Sequence, residues 1–144
     1  MANPIAISGI HHLRLTVTDV SRSRAFYTGV LGFDVAAEMP PAGDPSYGAV
    51  DAVLFGGVVL IKGNLLMGLR PVAPRGDRFD ENRVGLDHLS FTVGSRDELE
   101  QAVRLLDERG IPHGQITDLP SFGIYILEFR DPDNIGLELT APYS

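Results

Sequence analysis

Two histidines and one glutamate carry the chemistry that this sequence suggests: His12, His88 and Glu138. The histidines occupy the same place in a repeated stretch. Gly9-Ile10-His11-His12-Leu13-Arg14-Leu15-Thr16-Val17 returns as Gly85-Leu86-Asp87-His88-Leu89-Ser90-Phe91-Thr92-Val93, at an offset of 76 (88 − 12). Glu138 lies between Leu137 and Leu139, near the end of the chain. In each segment apolar residues alternate with polar ones, and side chains on a strand alternate faces. His12, His88 and Glu138 therefore point away from the apolar face of their strands. Two imidazoles and a carboxylate form the ligand set of a divalent ion with open coordination positions, which suits Fe, Mn, Ni or Zn. Two readings stand on the residues alone. One is a metal centre, and the other is a pair of histidines hydrogen-bonded to each other or to the glutamate.

The elements that must position these side chains follow the repeat. A first strand is expected over Ile7–Val17. A helix follows from Asp19-Val20-Ser21, with Phe26, Val30 and Phe33 as its core stripe and Gly32 as its stop. Phe33–Glu38 predicts a second strand and Pro40–Pro45 a loop. Ala49–Phe55 and Val58–Lys62 predict two strands joined at Gly56-Gly57. Residues 63–84 are left as a long connection, a linker or a lid. The second half replays the order. Ser95-Arg96-Asp97-Glu98 is a capping box, and Leu99, Ala102, Val103 and Leu106 form a helical stripe that ends at Arg109-Gly110. Strands are expected at Ile111–Thr117, Phe122–Phe129 and Ile135–Thr140, with Asp131-Pro132-Asp133-Asn134 turning between the last two. The expected class is α+β: two βαβββ modules, about 7–62 and 85–141, with mixed sheets curled into a metal-holding cup. Neither module is long enough for a core of its own, so 1–144 is expected to act as a single domain.

Bulk composition narrows the function classes. Of 144 residues 44% are hydrophobic and 22% charged, as in ordinary globular proteins. A net charge of −7 disfavours nucleic acid and anionic membrane surfaces as partners. The absence of cysteine removes disulfides, thiolate metal sites and cysteine nucleophiles. Met1-Ala2-Asn3-Pro4 has no signal-peptide character, and Ala52–Ile61 is too short to span a bilayer, so a cytoplasmic location is expected.

Together these segments resemble the vicinal oxygen chelate superfamily, which joins glyoxalases, bleomycin-resistance proteins and extradiol dioxygenases. The resemblance is carried by His12–Val17 with Asp19, Ser23, Phe26-Tyr27 and Leu31-Gly32-Phe33. In the second half it is carried by Asp87–Val93 and by Phe129–Asn134 leading to Glu138. It covers nearly the whole chain. It implies paired modules holding a divalent metal between them, with His12, His88 and Glu138 at the family's ligand positions. A small-molecule substrate and a homodimer are expected, with the site formed within one chain or shared between subunits.

Departures from the family pattern shape the functional expectation. Glyoxalase I and related epimerases have a fourth protein ligand on the last strand of the first module. Here that place falls on Leu60, or on Gly68 if the strand lies later, and neither can bind a metal. Extradiol dioxygenases carry a tyrosine three residues before the Asp-Pro turn, where this chain has Glu128. Tyr125 falls on the other face and His113 lies too far upstream, so His113 is expected at a strand edge on the surface. Asn134 stands where most relatives have glycine. Glu128 shares the parity of Glu138 and could take a proton from a carbon beside a carbonyl. Arg14 shares the face of His12 and could clamp a carboxylate or phosphate, or pair with Glu128 or Glu138. His11 and Asp87 have the opposite parity and are expected to be structural.

The leading expectation is a metal-dependent lyase, isomerase or dioxygenase-like enzyme that chelates vicinal oxygens of a small, anionic substrate. The alternatives are an antibiotic- or small-molecule-sequestering protein without catalysis and an extradiol ring-cleaving dioxygenase. Thiol transfer to an antibiotic epoxide would use the same ligands, but it needs a cation loop and phosphonate-binding cations that the sequence does not identify.

Overall fold

A computed structural model describes residues 1–143. The chain divides into two compact units, one ending at Ala73 and one beginning at Pro74. Each carries one four-stranded mixed sheet, and the class is α+β with βαβββ-like modules. Among the described residues no helix is long and apolar enough to cross a membrane.

In the first unit β1 (His12–Thr16) leads into α1 (Val20–Gly29), β2 (Asp34–Glu38), α2 (Tyr47–Leu54), β3 (Val58–Lys62) and β4 (Leu65–Arg70). The sheet order is β1-β4-β3-β2, with β1 parallel to β4 and the other pairs antiparallel. Asp19 caps α1 by accepting from the Arg22 amide. The buried face of α1 is Ser23 and Tyr27, one residue round from the expected Phe26 stripe. Tyr27 packs edge-on against Phe33 at 6.2 Å. Alternation along β3 and β4 puts Val58, Leu60, Met67 and Leu69 in the core.

Three expectations about this unit are corrected. Ala49–Phe55 lies mostly in helix α2, whose core contact is Leu54, and not in a strand. The hairpin turns at Gly63-Asn64 between β3 and β4, not at Gly56-Gly57. Residues 65–70, expected in the connection, form β4, which pairs with both β1 and β3. The first module therefore reaches Arg70, and β1 is shorter than the expected Ile7–Val17.

In the second unit β5 (Leu89–Thr92) is followed by α3 (Arg96–Glu108), β6 (Thr117–Leu119), a 3₁₀ turn (Pro120–Phe122), β7 (Ile124–Arg130) and β8 (Gly136–Pro142). The order β5-β8-β7-β6 repeats that of the first sheet. Ser95 accepts from the Glu98 amide, and the Glu98 carboxylate accepts from the Gly94 amide, which closes the expected capping box. Leu99 and Leu106 of α3 bury against a sheet core that includes Leu127, Leu137, Leu139 and Ala141. β8 is central, so Leu137 and Leu139 fill one face while Gly136 and Glu138 occupy the other.

His113 bridges to Phe129, and its side chain is only 16% exposed, so it is less of a surface residue than expected. Nδ1 donates to the Gly114 carbonyl at 2.5 Å and Nε2 to Asp107 at 2.9 Å. Both acceptors favour the protonated ring. The Gly114 carbonyl, then Asp107, raises its pKa above 6.5. A raised folded pKa contributes stability that is complete below the unfolded value and is lost as pH rises through the folded value. The stability advantage of the wild type over His113→Gln, read by denaturant melts, should shrink as pH rises through and above the ordinary histidine range. An advantage that grows with pH would contradict this protonation state.

Candidate metal centre

His88 stands just before β5, where strand alternation has not begun, so its neighbour can turn back onto it. Asp87 does so, and its carboxylate pairs with His88 Nδ1 at 2.7 Å. That hydrogen bond is the main reason the His88 pKa lies above 6.5. Burial opposes the rise, and the fields of Glu138 and Glu128 add to it. With Nδ1 held, Nε2 is the free ligating atom, the arrangement that outer partners impose on metal-binding histidines.

Glu138 reaches the same place from β8. It is 8% exposed. Thr140 donates to its Oε1 at 3.1 Å, and Thr140 in turn shares a 2.5 Å hydrogen bond with Ser90. Its other oxygen, Oε2, lies 3.8 Å from His88 Nε2. Two donors that share an ion at about 2.1 Å each stand about 3.0–3.4 Å apart at ordinary coordination angles. A small rotation of either side chain closes the difference, so this pair fits a divalent ion.

Glu128 is the cross-strand partner of Glu138 and shares its face. A hollow of about 160 Å³ is lined by Glu81, Asp87, His88, Glu128, Arg130 and Glu138, among others. Glu81 takes the only arginine of that lining, accepting from Arg130 at 2.7 and 3.2 Å. This bidentate contact holds the Glu81 pKa down to about 2. With Glu81 and Arg130 matched, three carboxylates and a histidine still face the hollow, a balance that favours a cation. Gly136 makes the crowding feasible, because a Cβ there would meet His88 Cβ at 3.2 Å and Arg130 Nη1 at 3.5 Å. The segment before the site is pinned to the β7–β8 turn. Arg78 donates to the Asn134 side chain, which donates to the Phe79 carbonyl, and the Phe79 amide donates to Asp133. Asn134, at φ 67°, tolerates the left-handed turn and supplies a side chain that glycine would lack.

His12 lies on the first unit, at the start of β1. Its Nδ1 is 2.8 Å from His11 Nδ1, and the two rings meet edge to face. Each repeated histidine is thus held at Nδ1 by the residue before it. Arg14, two residues on, stacks on Phe55 and donates to the Val53 carbonyl at 2.6 Å. The structure brings His88, Glu138 and Glu128 together on the second unit and sets His12 and Arg14 on one face of the first. Among the described residues no group of three or more His, Cys, Asp or Glu side chains stands close enough to hold a metal. His11 and Asp87, expected to be structural, each contact Nδ1 of the histidine that follows, contacts that strand parity did not foretell. The constant offset of 76 links them as it links the histidines, and it was the available signal.

The register identifies the first-module counterpart of Glu138. Arg14 pairs with Gly68 across β1–β4, and Ser90 pairs with Glu138 across β5–β8. Arg14 and Ser90 are equivalent in the repeat, so Gly68 is the counterpart of Glu138. Leu60 is a buried core residue of β3 and is excluded.

Residues 9–139 match the family model of the Glyoxalase/Bleomycin resistance protein/Dioxygenase superfamily. The chain belongs to this superfamily. It is 36% identical over 133 residues to the uncharacterized protein YwkD of Bacillus subtilis strain 168, covering 92% of this chain and 96% of that one. It resembles the glyoxylase/bleomycin resistance protein/dioxygenase domain from Frankia sp. EAN1pec at 28% identity and a TM-score of 0.73, over 96% and 95% of the two chains. Lactoylglutathione lyase from Agrobacterium tumefaciens shares the fold at 22% identity and a TM-score of 0.68, over 94% of each chain.

Proposed function

We propose that this superfamily member is a divalent-metal-dependent enzyme acting on a small substrate through two neighbouring oxygens. His12, His88 and Glu138 would hold the ion, with no fourth protein ligand because Gly68 stands at that place. The observation that supports this best is the mutual aim of His88 Nε2 and Glu138 Oε2, each on a side chain whose other polar atom is already tied. Bound there, an ion supplies Lewis-acid stabilisation of negative charge on substrate oxygens. Glu128, exposed beside Glu138, takes a proton from the carbon next to a substrate carbonyl. Arg14 binds an acidic group of the substrate and orients it. The working assembly is a homodimer of 144-residue chains, each acting as one domain.

Metal titration of chelator-treated protein with Mn, Fe, Ni and Zn tests the centre. One ion per chain is expected, and His12→Ala, His88→Ala and Glu138→Ala should each abolish it. Asp87→Asn should weaken it by about 10- to 100-fold through the loosened imidazole. Undiminished stoichiometric binding in His12→Ala would overturn the ligand set.

A further inference from the structure

We propose that Arg14 and Arg70, arranged around Phe55, form an oxyanion-binding subsite for a carboxylate or phosphate group of the substrate. Arg14 was a candidate clamp from sequence, whereas Arg70 and Phe55 enter only through the fold. The assignment to the substrate rests on the metal-centre reading, but the anion binding itself does not.

The β1–β4 register pairs Arg14 with Gly68 and Thr16 with Arg70. Cross-strand partners share a face, so both arginines lie on the face that carries His12. Phe55 follows α2 in a left-handed conformation, φ 54°, which a bulky residue rarely adopts, and it is 41% exposed. Backbone strain of this kind collects at ligand sites. The Arg70 guanidinium carbon sits 4.0 Å from the ring centroid and that of Arg14 5.4 Å. Gly68 leaves the space that the Arg14 stem crosses, since a Cβ there would lie 3.1 Å from Arg14 Cγ.

The charge balance points to a ligand. Arg24, Arg96 and Arg130 pair with carboxylates in a chain that holds 19 acidic residues against 12 basic ones. Among the described residues neither Arg14 nor Arg70 makes such a pair, although both gather on one ring. Arg70 Nε is covered and has no hydrogen-bond partner. Two cations held together without a counter-charge, one with a spare donor, suit an oxyanion with several acceptor oxygens. Contact with the Phe55 ring restrains both guanidinium groups and lowers the ordering cost of such a contact.

The test uses full-length, chelator-treated protein at constant ionic strength. Inorganic phosphate and acetate are titrated separately, followed by arginine Nε–H NMR shifts. Saturable binding of at least one is expected, and the stronger of the two shows whether a tetrahedral or a planar group is preferred. Arg70→Met and Arg14→Met should each weaken it by at least about tenfold, and Arg70→Lys should restore only part, because an ammonium lacks the planar fork. Thermal melts of Arg70→Lys confirm that the fold is kept. His12→Ala should abolish metal uptake and leave oxyanion affinity unchanged, which separates this proposal from the metal centre. No saturable binding of either oxyanion, or equal affinity in the wild type and Arg70→Met, would overturn it.

Discussion

Asp131→Ala is expected to cost the second unit about 3–5 kcal/mol, because it strips the acceptor from two buried backbone amides. Asp131 is 5% exposed, and its Oδ1 accepts from Asp133 N at 2.8 Å and Ile135 N at 2.9 Å. Its own carbonyl accepts from the Asn134 amide. These bonds close the turn from which β8 starts, and β8 then carries Gly136 and Glu138 to the hollow. Asp131→Asn keeps an acceptor oxygen at the same place and should cost only about 1 kcal/mol. Urea denaturation reads the global loss. Amide exchange at residues 133 and 135 reads the local one, and it should speed up in the alanine variant. Equal stability of the two variants would show that the turn does not depend on this acceptor.

Gly57→Ala should destabilise the first unit by more than about 3 kcal/mol. A Cβ at Gly57 would stand 1.9 Å from the Leu69 carbonyl oxygen and 2.8 Å from that of Leu54. Neither atom can swing aside as a side-chain tip would. Leu69 is fixed in β4 against Val58, and Leu54 O accepts from Gly57 N at 2.8 Å. Gly63→Ala is the comparison: nothing lies within 4 Å of its Cβ position, and only the positive φ of 57° is penalised, at about 1–2 kcal/mol. Denaturant melts should rank the two far apart. The larger loss matters for function because the clash falls on β4, the strand that carries Gly68 and Arg70.

Much of the candidate site was legible because it lies on strands with clean alternation. Leu13 and Leu15 against His12 and Arg14 fixed the polar face of β1, and Leu137 and Leu139 fixed that of β8. The capping box at Ser95 and Glu98 marked α3 by local chemistry alone. Where tertiary packing decides, the sequence misled. Ala49–Phe55 is apolar and holds two valines, so it read as a strand. Yet Leu54 is the one buried residue of α2, and Val53, at 63% exposure, faces away from the core. β4 carries Gly68 among leucines and a methionine, with no polar alternation, so it disappeared into a connection. The Asp87–His88 contact was hidden for another reason. Alternation separates neighbours only within a strand, and β5 begins one residue later, at Leu89. The arginine pair around Phe55 needed both α2 and β4 to be placed before it could be seen.

The Gly68–Glu138 equivalence bears on how the two halves came to differ. A tandem of two second halves would offer two imidazoles and two carboxylates, and on the proposed ligand scheme that inventory leaves one vacancy fewer for an incoming molecule. In this chain Gly68 stands where the second half has Glu138, and the Arg14 stem crosses the space a side chain there would fill. On that scheme the metal needs His12 from one half and His88 and Glu138 from the other, whereas Arg14 and Arg70 both lie in the first, so exchanging the first half between relatives should carry oxyanion binding with it.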